Sequence, residues 1–550
     1  MGKPPALAGS LSSPRIAGYS RVVMPNFIGA TPTREAFGKI RLPSTRSLRA
    51  ESGFATKSCR RGRGSGRALR LGLALVAAAL VVACGVDDGV VAGADARARP
   101  NIVFLLSDDQ SIGTMGHEGQ PWMQTPGMDR LAAEGARFTR AFVTTSLCSP
   151  SRATFLSGRW ARSHQVLDNR SGLPSDLPTF ASVLRAAGYD TAYVGKWHMG
   201  QQRDRPGFDY SASYIAHGRY QDAVFELNGE PVKTKGWVDD VATDHALEYL
   251  REERDAPFLL VVGFKSPHGP REPAERLLGL YEGARLAPPP NVAAIPPYPR
   301  TKELDKLVEN GLERTPYSVP EDWVGLLGEA RDQRRLREGA NWLKSHRRAY
   351  HQLIAGADEN VVRILDLIDE LGLTENTIVV YASDNGICDG AHGIVIKRAA
   401  YEESIRVPLL VRYPPLVRPG TSIDELALNV DLAPTLLELA GVETPDVMQG
   451  RSLVPLLEGH EAEWRTSFVY ENFYEPPFPT PTLYALRTEA WKLVEYPGFP
   501  GWTELFHLAE DPYETENLAG SEEHAATLAA LRAELTERER EIGPRPRGFE

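Results

Sequence analysis

Two short, almost wholly apolar segments, Asn101–Leu106 (NIVFLL) and Thr377–Tyr381 (TIVVY), stop abruptly on acidic clusters, Ser107-Asp108-Asp109 and Ser383-Asp384-Asn385-Gly386. A strand with one solvated face alternates apolar and polar residues, whereas a strand covered on both faces is apolar throughout. Both segments therefore read as strands in the middle of a buried sheet, and the acidic residues mark where each one surfaces at its carboxyl end. Thr191–Val194, Phe258–Gly263 and Val407–Arg412 read as further strands. Helical patterns lie between them: Met128–Glu134, Thr179–Ala187 with Gly188 as its stop, and Tyr350–Leu371 ending at Gly372. Strands alternating with helices predict an α/β sandwich around a large, mostly parallel central sheet. From about Arg465 the pattern changes to short aromatic strands (Ser467–Tyr470, Leu483–Arg487, Lys492–Tyr496) and a final amphipathic helix, Glu522–Glu537. That change predicts a smaller C-terminal α+β subdomain with a short antiparallel sheet. A Pro-rich stretch, Ala287–Pro299, and a charge-dense insert reaching about Lys344 interrupt the main pattern.

Charge is divided unevenly along the chain. Residues 1–83 carry 14 Lys/Arg against 2 Asp/Glu, and the rest carries 48 against 70, a net of −22. A body that acidic disfavours nucleic acid as a partner. Arg60, Arg61, Arg63, Arg67 and Arg70 precede a 13-residue apolar run, Leu71–Ala83. The run falls short of the roughly 20 residues a membrane span needs. A basic region, a short apolar run and small residues at its end describe a secretory signal over 60–83. Val81-Val82-Ala83-Cys84 resembles a bacterial lipobox, which implies lipidation of Cys84 and an exported protein anchored to a cell-envelope membrane. Residues 1–59 are too long for a normal leading region and read as an extension upstream of the true start. Residues 84–98 suit a flexible tether, 99–460 the main domain and 461–550 the C-terminal subdomain. Four cysteines in 550 residues cannot form a disulfide framework.

In open α/β sheets ligands sit beyond the strand carboxyl ends. Asp108, Asp109, Asp384 and Asn385 would supply three carboxylates and an amide there, hard oxygen donors that suit Ca²⁺ or Mg²⁺ rather than zinc. Either pair alone reads equally as turn and cap residues. Cys148-Ser149-Pro150-Ser151-Arg152, followed by Ala153-Thr154-Phe155-Leu156-Ser157-Gly158, weighs in favour of chemistry. This stretch matches the C-x-P-S-R signature of type I, formylglycine-dependent sulfatases. So do, in order, Ser107-Asp108-Asp109-Gln110, Gly195-Lys196-Trp197-His198, Ser266-Pro267-His268, Ser383-Asp384-Asn385-Gly386 and the tail Glu504-Leu505-Phe506…Asp511-Pro512…Asn517-Leu518. The resemblance covers residues 99 to about 520 and implies the alkaline-phosphatase-like fold, with 99–460 as the catalytic domain.

The resemblance also implies a mechanism. A formylglycine-generating enzyme oxidises Cys148, and the formylglycine hydrate attacks sulfur. The remaining hydroxyl then expels sulfate from the covalent sulfo-enzyme. Asp108, Asp109, Asp384, Asn385 and the oxygen at position 148 would hold Ca²⁺, in preference to Mg²⁺. Arg152 would fix the hydrate, Lys196 and Lys397 would contact sulfate, and His198 would be the base for the release step. His268 would contact sulfate or protonate the leaving alcohol. Lys196 and His198, two apart, would face the same side of an extended segment. Relatives carry acidic residues where Ala391 and often Ile396 stand, which loosens the reading of the loop before Lys397; His392 is retained as a sugar contact. Cys388 reads as a free, partly buried thiol. His164–Asn169, Arg205–Tyr210 and Lys397–Pro408 resemble the N-acetylglucosamine-6-sulfatase and heparan- or mucin-desulfating group, implying a sulfated carbohydrate or aryl sulfate as substrate. Two other readings stay open: a phosphonate or phosphate ester hydrolase, for which an extra cation would be expected and no nearby motif supplies one, and a non-catalytic surface glycan-binding protein.

Overall fold

The computed structural model describes residues 99–549 apart from 120–121, 285, 299–332, 476–477 and 479. The signal segment, Cys84, the tether and most of the charge-dense insert lie outside the described residues. Residues 99–549 fall within a single compact unit. Its frame is a ten-stranded sheet in the order Thr421–Ile423, Ala136–Phe138, Leu409–Arg412, Thr377–Ser383, Asn101–Ser107, Phe258–Gly263, Asp190–Lys196, Tyr210–Tyr214, Val224–Leu227 and Glu230–Lys233. The five strands from Thr377–Ser383 to Tyr210–Tyr214 run parallel. Leu409–Arg412 pairs antiparallel to Thr377–Ser383, and Val224–Leu227 and Glu230–Lys233 form an antiparallel hairpin at the far edge.

The apolar runs are explained by cover on both faces. Within Asn101–Ser107, Val103 and Leu105 enter one core with Met128, Leu131, Ala242, Tyr350, Leu353 and Ile364. Ile102, Phe104 and Leu106 enter the other, with Ala153, Phe155, Phe180, Leu184 and Leu436. Alternate side chains of one strand thus meet helices above and below the sheet. The predicted helices stand at Pro126–Glu134, Phe180–Ala186 capped by Thr179, and Gln333–Glu370, which starts well before Tyr350. The C-terminal sheet is antiparallel, Ser467–Asn472, Leu483–Thr488, Trp491–Glu495 and Glu504–His507, followed by helix Ala525–Ile542. Its side chains share a core with Phe142, Trp160, Ile405 and Leu428 of the main layer. The buried Arg162–Glu471 ion pair, 2.6 Å, ties the short helix Ala161–His164 to the C-terminal sheet. Among the described residues no helix is long and apolar enough to cross a membrane.

Candidate active site

The parallel register Ser107↔Ser383 brings the two acidic clusters side by side. Asp384 N donates to Ser107 O at 3.0 Å, Asp108 N to Ser266 O at 3.0 Å, and Asp109 N to Asp384 Oδ1 at 3.1 Å. Three neighbouring strand ends are thereby stitched into one floor. Asp109 sits at φ 71°, a left-handed conformation that Asp tolerates better than most residues. Asn385 Nδ2 donates to Asp109 Oδ1 at 2.6 Å, while its buried Oδ1 has no hydrogen-bond partner among the described residues.

Cys148 is the first residue of a helix, Cys148–Ser157, every residue of which is buried. An N-terminal position carries the positive end of the helix dipole, which favours negative charge on whatever stands at 148. A helix buried all round has no amphipathic stripe, so periodicity does not reveal this one; Pro150 in its first turn and Gly158 just past its end are the available signals. Arg152, one turn on, lies on the same face. Its Nε donates to Asp384 Oδ2 at 2.7 Å and its Nη1 to Lys196 O at 2.7 Å, and its buried Nη2 has no partner among the described residues. Lys196 Nζ pairs with Asp108 and lies 3.7 Å from Cys148 Sγ. Lys397 Nζ pairs with Asp109 and lies 2.7 Å from the same sulfur, which in turn is 3.4 Å from Asp108 Oδ1.

His198 reaches this cluster by a route that simple alternation does not give. The strand ends at Lys196, and His198 takes φ 54°. Its carbonyl accepts from Ser149 Oγ at 2.6 Å, and its ring lies 3.9 Å from that of His217. His268 places Nε2 3.7 Å from Asp109 Oδ2 and has Nδ1 against Gly269 O. Nδ1 must donate to that carbonyl, so in the neutral ring Nε2 is an acceptor, and donation to a sulfate or an alcohol requires a second proton.

A family profile described as Sulfatase matches residues 100–442. The chain belongs to the sulfatase family. A second profile, N-sulphoglucosamine sulphohydrolase, C-terminal, matches 390–541. The sulfatase is 32% identical over 489 residues to an N-acetylglucosamine-6-O-sulfatase of Bacteroides thetaiotaomicron, covering 80% of this chain and 87% of the relative. It superposes with TM-score 0.70 and 30% identity on BT4656 in complex with its substrate D-glucosamine-2-N,6-O-disulfate, covering 81% of this chain and 98% of that one. It shares its fold with a phosphonate monoester hydrolase of Agrobacterium radiobacter, at TM-score 0.64 and 23% identity, over 81% of this chain and 96% of that one. The enzyme is a sulfuric ester hydrolase with the alkaline-phosphatase-like fold.

Three carboxylates, Asp108, Asp109 and Asp384, face three cations, Arg152, Lys196 and Lys397, in the centre of the sulfatase's site. Burial opposes ionisation of Asp108, yet Lys196, His268, Lys397 and Arg152 hold its carboxyl well below the usual range. Asp109 is likewise lowered, its burial outweighed mainly by Lys397 and His268. Burial and then Asp108 push Asp384 up to about 7. Burial disfavours the charge on Lys397, but Asp109 and its neighbours hold it above the ordinary value. Burial and Asp108 push the Cys148 thiol up to about 12, so the unmodified side chain is neutral. Burial and Lys196 hold His198 well below its usual value, leaving a neutral imidazole.

His392 does not join this cluster. It stacks on Tyr401, with ring centroids 3.6 Å apart, and both ring nitrogens are engaged, Nδ1 with Ala294 O at 2.8 Å and Nε2 with Asn291 Nδ2 at 2.9 Å. The expected sugar contact is therefore corrected: a ring with both nitrogens occupied inside the protein has none for a sugar. Cys388 is a free thiol, as expected, but fully rather than partly buried. Two residues of the site were missed. His217 follows Tyr210–Tyr214, a short strand of mixed polarity that carries no clear alternation, and no motif surrounds it. Lys265 is 0% exposed, and its Nζ has no hydrogen-bond partner among the described residues, lying 4.8 Å from the Tyr220 ring centroid. Its charge acts on Lys196, Asp108 and Asp109, so the expectation of no extra cation near the site is also corrected.

Proposed function

We propose that this sulfatase removes sulfate from a sulfated sugar, a 6-O-sulfated N-acetylhexosamine of a glycan being the leading candidate, with formylglycine at position 148 and a bound Ca²⁺. The observation that carries the reading is the convergence of Asp108, Asp109, Asp384 and Asn385 on Cys148, with Arg152, Lys196 and Lys397 around the same point. The donor set fits a hard cation. Its members are oxygen ligands, and the unpartnered Asn385 Oδ1 beside Asp109 is an acceptor that a cation would satisfy. When bound, the cation supplies neutralising charge where negative charge builds on sulfate. The three carboxylates are matched by Arg152, Lys196 and Lys397, and Lys265 adds a further positive charge, so the charge of the cation adds to a site already able to attract an anionic ester.

The remaining roles fall to this chain's own residues. Arg152 Nη2 is a free buried donor able to orient an oxygen on residue 148. Lys196 and Lys397 flank the same residue and face the developing charge. His198, held neutral, accepts a proton in the release step. A neutral cysteine thiol is a weak nucleophile, which favours modification of Cys148 by a formylglycine-generating enzyme over direct attack. The basic leader and Cys84 support export and lipid anchoring to a bacterial cell envelope.

The test combines the mass of the tryptic peptide carrying residue 148 with turnover of N-acetylglucosamine-6-sulfate. Formylglycine lies about 18 Da below cysteine, from loss of H₂S and gain of O. Conversion with turnover supports the proposal; full conversion with no turnover of any sulfate ester defeats it. Lys265 favours one second reading, side activity on phosphate or phosphonate esters, because an added cation suits a dianion. Parallel rates on nitrophenyl sulfate and nitrophenyl phosphate measure it.

A further inference from the structure

His217 is a histidine at the mouth of the site that no motif of the chain accounts for. It is partly exposed, whereas His198 beside it is buried. Its ring lies between two others, 3.9 Å from His198 and 4.4 Å from His268. Its Nδ1 lies 3.4 Å from Lys196 Nζ. An ammonium can only donate, so Nδ1 must present its lone pair to Lys196, and the ring hydrogen is placed on Nε2. A second proton on this imidazole would bring two cations into contact.

The backbone is shaped around this one side chain. Ala216 at φ 53° and Gly218 at φ 60° flank it, both left-handed. A Cβ at Gly218 would stand 2.5 Å from Tyr214 Cδ2, so only glycine lets the turn fold down onto that ring. Left-handed conformations at a non-glycine residue persist where the surroundings over-determine them, and they concentrate at functional sites. The neighbouring His268 uses its Nδ1 hydrogen on Gly269 O and turns an acceptor toward Asp109. His217 has the opposite arrangement, with its acceptor engaged by Lys196 and its donor free of that contact.

We propose that His217 is a substrate-contacting residue whose Nε2–H donates a hydrogen bond to the leaving side of the sulfate ester, at the bridging oxygen or the sugar hydroxyl next to it. It keeps its proton throughout and acts as a donor, with Lys196 fixing its tautomer. The proposal rests on the sulfatase reading above and narrows it, because it locates the alcohol portion of the substrate on the His217 side of the cluster.

Three variants separate a donor from a spacer that merely holds His198 and His268 apart. His217→Phe keeps a flat ring and removes the donor. His217→Gln keeps an N–H near the position of Nε2 and loses the ring. His217→Ala loses both. Each is produced with Cys148 converted, as verified by peptide mass, and assayed on a sugar sulfate and on nitrophenyl sulfate beside the wild type. The donor role predicts that His217→Phe loses roughly 10- to 100-fold in kcat/KM on the sugar sulfate, the loss expected for one hydrogen bond in a shielded site. His217→Gln should recover most of that loss. Nitrophenyl sulfate, with a good leaving group and no neighbouring hydroxyl, should lose less than about fivefold. The reverse order, His217→Phe near wild type and His217→Gln as poor as His217→Ala, would establish a spacer and overturn the proposal. Equal losses on both substrates would place the contact on the sulfate oxygens and overturn the leaving-side assignment. A converted wild type that turns over neither ester would instead count against the proposed function.

Discussion

Lys265→Met should make the protein more stable and the enzyme worse. Lys265 is 0% exposed and its ammonium has no hydrogen-bond partner among the described residues. Burial, and then repulsion from Lys196, pull its pKa down from 10.5 to about 8, against a partial pull upward from Asp108, Asp239 and Asp109. At 1.36 kcal/mol per pKa unit, holding the charged form at pH 7 costs the native state about 3 kcal/mol. Methionine keeps the apolar stem and carries no charge, so Lys265→Met should gain about 1–3 kcal/mol in urea unfolding at pH 7. The pH dependence gives a second check. Below pH 8 the lysine is charged in both states and the full penalty applies. Between pH 8 and 10.5 the native state has released the proton while the unfolded state still holds it, so wild-type stability rises with pH. The advantage of the variant should therefore shrink by pH 10. Steady-state kinetics should show a higher KM for sulfate esters, and a larger loss on phosphate esters, because a positive charge behind the anion site has been removed. A variant less stable than wild type at pH 7, or one whose advantage is the same at pH 7 and pH 10, would refute the reasoning.

The other predictions address the metal, the nucleophile and the ion pair that anchors the C-terminal sheet. Exhaustive chelation should abolish turnover, with Ca²⁺ restoring it better than Mg²⁺; Asn385→Ala should raise the Ca²⁺ concentration needed for half recovery, read by titration of the chelated enzyme. Cys148→Ala should show no multiple turnover, and Cys148→Ser should turn over at most once, both read by product release against enzyme concentration. Arg162→Met leaves Glu471 buried without its cation and should cost about 3–5 kcal/mol in chemical unfolding, with Glu471→Gln in the same background recovering part of the loss.

What could be read in the sequence was whatever one face or one motif enforces. Asn101–Ser107 and Thr377–Ser383 were legible because cover on both sides leaves no room for polar residues, and their parallel register then brings Asp108 beside Asp384. Signals fail where burial removes periodicity or where a side chain works through its neighbours. Helix Cys148–Ser157 has no polar face to betray its period, and Tyr210–Tyr214 (YSASY) is too short and mixed to stand out. His392 misled for a related reason. Its position in a loop leading to Lys397 suggested substrate, but the chain turns so that Lys397 points at Cys148 while His392 stacks on Tyr401. His217 and Lys265 show the limit of motif reading most directly. Both stand just past the carboxyl ends of sheet strands, where ligands gather in such folds, yet neither belongs to a pattern. Only the fold brings His217 to Lys196 and leaves Lys265 without a hydrogen-bond partner among the described residues. Motif positions define the reaction centre that the family holds in common. The residues around it, which read the leaving group and tune the local charge, are set by packing, and they are where one sulfatase can be made to differ from another.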